Sequence, residues 1–134
     1  MNEYVDITFK NHKKFNKKIL FIIFKECSMD DRKKVDEIIT EYVKIIKENT
    51  DLSIIVDGRN IQKVDKTMGF QKATELEKYR DLVHKNVISM AILLENPVLK
   101  FLLDSITKIH PYVVPTIVCN ENKEAMDHIV SQFK

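Results

Sequence analysis

Hydrophobic positions change their spacing several times along the chain, and each change marks a predicted element. Tyr4, Val5, Ile7 and Phe9 predict a short opening strand. ILFIIF at residues 19–24 is apolar throughout, which predicts a strand covered on both faces in the middle of a sheet. From Ser28 the step lengthens to three and four residues. Val35, Ile38, Ile39, Tyr42, Val43 and Ile46 then share one helical face, with Lys33, Lys34, Glu37, Glu41, Lys44 and Lys47 opposite. Ser28 or Asp30 is the expected N-cap. Residues 52–56 form a second buried strand that ends at Asp57-Gly58. A helix is expected over residues 67–85, with Met68, Ala73, Leu76, Tyr79 and Val83 on one side, and a strand over 87–94. Asn96-Pro97 is a helix start, since Asn caps and Pro fits the first turn. Val98, Leu99, Leu102, Leu103 and Ile106 supply that helix's apolar stripe, and Tyr42 and Phe101 are read as core residues. Residues 112–119 return to strand, but Pro115 cannot donate a ladder hydrogen bond, which assigns this strand to an edge or a bulge. Residues 122–133 close the chain as an amphipathic helix.

The order is thus β-β-α-β-α-β-α-β-α. Two opening strands suit an antiparallel hairpin, and the helices then serve as right-handed crossovers between parallel strands. One α/β domain over residues 1–134, with a mixed five-stranded sheet and about four helices, accounts for the whole chain.

Composition narrows the function classes. Lys+Arg number 22 against 20 Asp+Glu, so composition makes no case for a nucleic-acid partner. His12, Lys13, Lys14, Lys17 and Lys18 form a local basic cluster, read as a solvated hairpin connection. The two cysteines, Cys27 and Cys119, lack zinc or redox spacing and are read as buried or strand-end thiols of a reducing compartment. Residues 1–10 alternate instead of forming a signal peptide, and no apolar run reaches the roughly 20 residues of a membrane span. A cytoplasmic location is therefore expected.

Chemistry is sparse in the letters. His12, His84, His110 and His128 are scattered, no nucleophile stands beside a base, and no Gly-rich phosphate loop occurs. No catalysis, metal or cofactor is expected. The stretch Asp65-Lys66-Thr67-Met68-Gly69 follows a buried strand. Asp65 and Thr67 read first as helix caps, and Gly69 as a position for close approach or a special dihedral. Asp57 ends a parallel strand, where α/β folds place ligands. A receiver-like phosphoacceptor or small enzyme at Asp57 is therefore an alternative, with Glu26, Asp30 and Asp31 near enough in sequence to help hold a cation.

The element order, LSIIVDGRNIQKVD with its following Gly and helix, and ENPVLKFLLD together resemble the STAS family of anti-sigma-factor antagonists and sulfate-transporter tails. Asp65, Thr67 and Gly69 resemble the Asp, hydroxyl and Gly of that family's Asp-Ser-Ser-Gly-like motif. The antagonists place a phosphorylatable Ser directly after the Asp, where this chain has Lys66. Either Thr67 takes that role as the candidate phosphosite, or the chain binds partners without the switch. The resemblance implies a non-catalytic regulatory module that binds an unidentified protein through Asp65, Lys66, Thr67 and Gly69, with Asp57, Arg59 and Asn60 nearby and Gln71, Lys72 and Glu75 on the adjoining helix edge. A homodimer through the edge strand, and a small lipid or nucleotide ligand under the same loops, remain open alternatives.

Overall fold

Backbone pairing carries the two opening strands well into the polar letters between them. In the computed structural model, which describes residues 3–133, β1 (Val5–His12) and β2 (Lys17–Phe24) pair antiparallel from Val5 opposite Phe24 to His12 opposite Lys17. The turn is closed by Asn16 at φ 52°, a left-handed conformation that Asn tolerates. The connection is not wholly solvated. Phe15 folds back so that its ring lies 5.3 Å from that of His12 and 5.2 Å from that of Phe133 near the other end of the chain.

The main sheet runs β1-β2-β4-β6-β7, with β4 (Leu52–Asp57), β6 (Val87–Leu93) and β7 (Thr116–Cys119) parallel to β2. β7 is an edge strand, and Pro115 stands just before its first paired residue, so the missing amide falls outside the ladder. Only the second half of the stretch expected as strand, residues 112–119, pairs. A second, two-stranded parallel sheet joins β3 (Cys27–Met29) to β5 (Ile61–Val64). Neither short strand was expected, because three or four residues carry too little periodicity to stand apart from a turn.

Helix α1 (Arg32–Glu48) buries Val35, Ile38, Val43, Ile45 and Ile46. Its cap is Asp31, whose carboxylate accepts from the amides of Lys33 and Lys34, rather than Ser28 or Asp30. Ser28 is committed to β3, so the chain turns into the helix only after that strand ends. The helix expected over residues 67–85 is interrupted: α2 (Lys66–Leu76) passes through a 3-10 turn (Glu77–Tyr79) into α3 (Arg80–Asn86). No Pro or Gly marks the break. Its residues are instead tied to the end of α4, through Glu77 to His110 Nδ1 at 2.6 Å and Arg80 Nη1 to Pro111 O at 2.9 Å. Helix α4 (Pro97–Ile109) starts as expected, with Asn96 Oδ1 accepting from the Val98 amide at 2.9 Å. Helix α5 (Asn122–Ser131) follows β7.

The sheet divides the core. Leu20, Ile22, Leu52 and Ile54 face α1 and Leu82 and Val83 of α3, whereas Ile19, Ile55, Ala91 and Leu93 face Ala125 and Ile129 of α5. Ile54 is fully buried, so truncating it to Ala should cost about 2–5 kcal/mol. Two core assignments made from the letters do not hold. Val98 is 73% and Phe101 71% exposed, because α4 turns Leu99 inward and leaves this second apolar face without cover among the described residues.

Candidate functional site

The residues singled out between 57 and 69 separate into three environments. Asp57 ends β4 and is gripped by Arg59: Nε and the backbone amide donate to Oδ1 at 3.0 and 3.1 Å, and Nη2 donates to Oδ2 at 2.8 Å. The same guanidinium reaches Asn120 O at 3.4 Å and Asn122 Oδ1 at 3.5 Å, so the pair braces β4 against the β7-to-α5 junction. Burial pushes the Asp57 carboxyl up, but the Arg59 hydrogen bonds and charge outweigh it and hold the group below the usual carboxylate range. Both carboxylate oxygens of the strand-end acid are thus engaged within the chain.

Glu26, Asp30 and Asp31 do not converge. Glu26 accepts from Gln62 Nε2 at 2.9 Å, Asp31 caps α1, and no group of three metal-ligating side chains forms among the described residues. Asn60 is exposed in the turn after Gly58, beside Glu26 and Gln62 in a shallow polar depression. Gly58 itself sits in a close approach, where an added Cβ would lie 2.8 Å from Leu94 Cδ2.

Asp65 caps α2, with its Oδ1 accepting from the Met68 amide at 2.9 Å while its own amide donates to Met29 O at 3.1 Å. The cap is therefore fastened to β3, and Lys66 and Thr67 are left exposed in the first helical turn. Gly69 has neither a positive φ nor a tight neighbour. A Cβ there would meet Ile106, Val64 and Leu102 at 3.6–3.9 Å, which is ordinary contact. On the outer edge of α2, Lys72 is buried and paired to Asp36 and, at 2.9 Å, to Glu75, which together raise its pKa. Gln71 is exposed and accepts from Arg32 Nη2 at 2.7 Å.

Sequence reasoning missed what lies beside Lys66. A groove of about 500 Å³ runs between β5, the start of α2 and α4, bordered by Lys63, Val64, Lys66, Val98, Phe101 and Leu102. The signal was present as Phe101, an apolar residue outside the stripe assigned to this helix and three positions after Val98. Outside this region, Cys27 and Cys119 are free and buried, and burial raises both thiols. No helix among the described residues is long and apolar enough to cross a membrane.

The architecture has solved counterparts. A structure of an uncharacterized protein of the DUF3478 family, with a SpoIIAA-like fold, from Shewanella loihica PV-4 superposes with a TM-score of 0.56 over 93% of each chain, at 9% identity. The fold is accordingly SpoIIAA-like, the STAS-like arrangement that the element order resembles. No curated protein matches the chain. The model of a domain of unknown function, DUF7793, matches residues 14–132, and the chain belongs to that family.

Proposed function

We propose that this chain is a non-catalytic regulatory module that binds a protein partner through the start of α2 and the neighbouring face of α4. The observation that carries the reading is the exposure of Val98 and Phe101, both above 70%, beside Lys63 and Lys66 in one groove. Isolated exposed apolar residues are ordinary, but two adjoining ones beside a groove supply an apolar anchor, with the lysines placed at its polar rim. A partner presenting an apolar side chain next to a carboxylate matches this chemistry: the apolar group seats against Phe101 and the carboxylate meets the lysines at the rim. The Asp57 carboxylate spent on Arg59 and the raised thiols give further support to binding over chemistry.

The test compares proteins retained by the wild-type chain with those retained by Phe101→Ser, Lys66→Glu and a distant control, Lys123→Glu, on the exposed surface of α5. A partner lost in the first two variants and kept by the control supports the reading. Identical retention by all four chains overturns it. If light scattering shows a dimer that Phe101→Ser dissolves, the partner is a second copy.

A further inference from the structure

On the sheet face opposite α5, the helices leave a cavity of about 350 Å³ that no side chain fills. Tyr42 of α1, Ala73 and Leu76 of α2, Met90 of β6, and Leu103 and Ile106 of α4 form its walls. Protein interiors are normally packed with few voids larger than a water molecule, and mainly apolar pockets with a few polar groups are what small ligands occupy. This volume falls at the lower end of ligand pockets, which span about 300–1,000 Å³.

The charges around the cavity define what it accepts. Lys72 is committed to Asp36 and Glu75, Arg80 to Glu77 and Pro111 O, and His110 Nδ1 to Glu77. Lys72 is thus spent inside the cavity, and Arg80, engaged through Nη1 alone, stands at the mouth and not within. Tyr42 differs, because its hydroxyl has no hydrogen-bond partner among the described residues. Burial raises its pKa to about 12, so it remains a neutral donor at physiological pH. A volume of 350 Å³ at about 30 Å³ per water-sized atom corresponds to roughly a dozen non-hydrogen atoms.

We propose that this cavity binds a small, neutral, apolar molecule carrying a single acceptor oxygen, which takes the Tyr42 hydroxyl as its polar contact. The site is separate from the docking groove: Leu103 and Ile106 of α4 face the cavity, whereas Phe101 and Leu102 border the groove. Pro111 and Tyr112, which are exposed, and the half-buried Glu77 and Arg80 mark the mouth.

Calorimetric titration of the full chain with 1-decanol and with decanoate tests the assignment. Saturable binding of decanol, with decanoate at least about tenfold weaker, is expected, since a carboxylate finds no free cation inside. Filling the cavity by Ala73→Phe, or from the opposite wall by Thr107→Phe, should abolish the decanol signal in whichever variant keeps a cooperative melt. Tyr42→Phe should weaken decanol about fivefold, the effect of one hydrogen bond. Phe101→Ser should leave it unchanged. The proposal is overturned by absence of saturable binding, by equal affinity for decanoate, or by binding that survives in a folded, filled variant. Loss of binding in Phe101→Ser also overturns it, because the alcohol would then occupy the groove on α4. An unchanged affinity in Tyr42→Phe removes the hydroxyl from the site.

Discussion

Ser53 and Ser89 lie opposite each other on the parallel strands β4 and β6, both fully buried, and neither hydroxyl has a hydrogen-bond partner among the described residues. They occupy the sheet face covered by α5, near Ala91 and Ala125, so small side chains allow the helix to approach the sheet. A buried hydroxyl without a partner costs about 1–3 kcal/mol on mutational scales. Ser53→Ala and Ser89→Ala should each stabilise the fold by about 1 kcal/mol, read as a higher urea midpoint at constant slope. Ser53→Val should do the reverse, by about 1–3 kcal/mol, because the added methyl groups overpack the interface.

The Asp57 to Arg59 clasp predicts a particular pH dependence. Its carboxyl titrates lower in the folded than in the unfolded chain, so its contribution is complete above the unfolded value of about 3.9 and is lost as pH falls through the depressed folded value. Asp57→Asn should destabilise by about 1.5–3 kcal/mol at pH 7, and the deficit relative to wild type should shrink under acid. Denaturant titrations at several pH values check both the size and the sign. A deficit that grows as pH falls would exclude this account.

The two glycines should respond in opposite directions. Gly69 lies in α2 with room for a methyl group, so Gly69→Ala should stabilise by about 0.5–1 kcal/mol through helix propensity. Gly58→Ala drives a Cβ to within 2.8 Å of Leu94 Cδ2 and 3.2 Å of Ile61 Cδ1, and should destabilise by about 1–3 kcal/mol. Thermal melts of the two variants decide the matter.

A negative charge at Thr67 should separate stability from binding. Thr67 is exposed in the first turn of α2, where an anion gains about 0.3–1 kcal/mol from the helix dipole. Thr67→Glu should therefore melt slightly higher than wild type. It also places an acid beside Lys66, where a carboxylate-bearing partner would dock, so retention of that partner should fall by roughly an order of magnitude, the scale of like-charge interference. Tighter binding would show that the partner is not acidic at this contact.

What the chain's letters carried is what short-range physics encodes. A six-residue apolar run bounded by polar residues favours an interior strand, spacing of three and four residues puts Val35, Ile38 and Ile46 on one face of α1, and Asn96-Pro97 opens α4 with its own cap. Pro115 limited its strand to an edge or a bulge because a missing amide is a local fact. Asp65 was legible as a cap for the same reason. The tertiary structure decided the rest, since each remaining feature depends on which faces meet. Cys27 and Ile61 become strand partners only once the chain returns 34 positions later. Arg59 finds Asn120 only after two crossovers. Phe101 obeys helical periodicity as well as Leu99 does, yet periodicity states only that a face is apolar. Whether another element covers that face, or leaves a groove outside and a cavity beneath, is settled by how the helices pack on a sheet of fixed width.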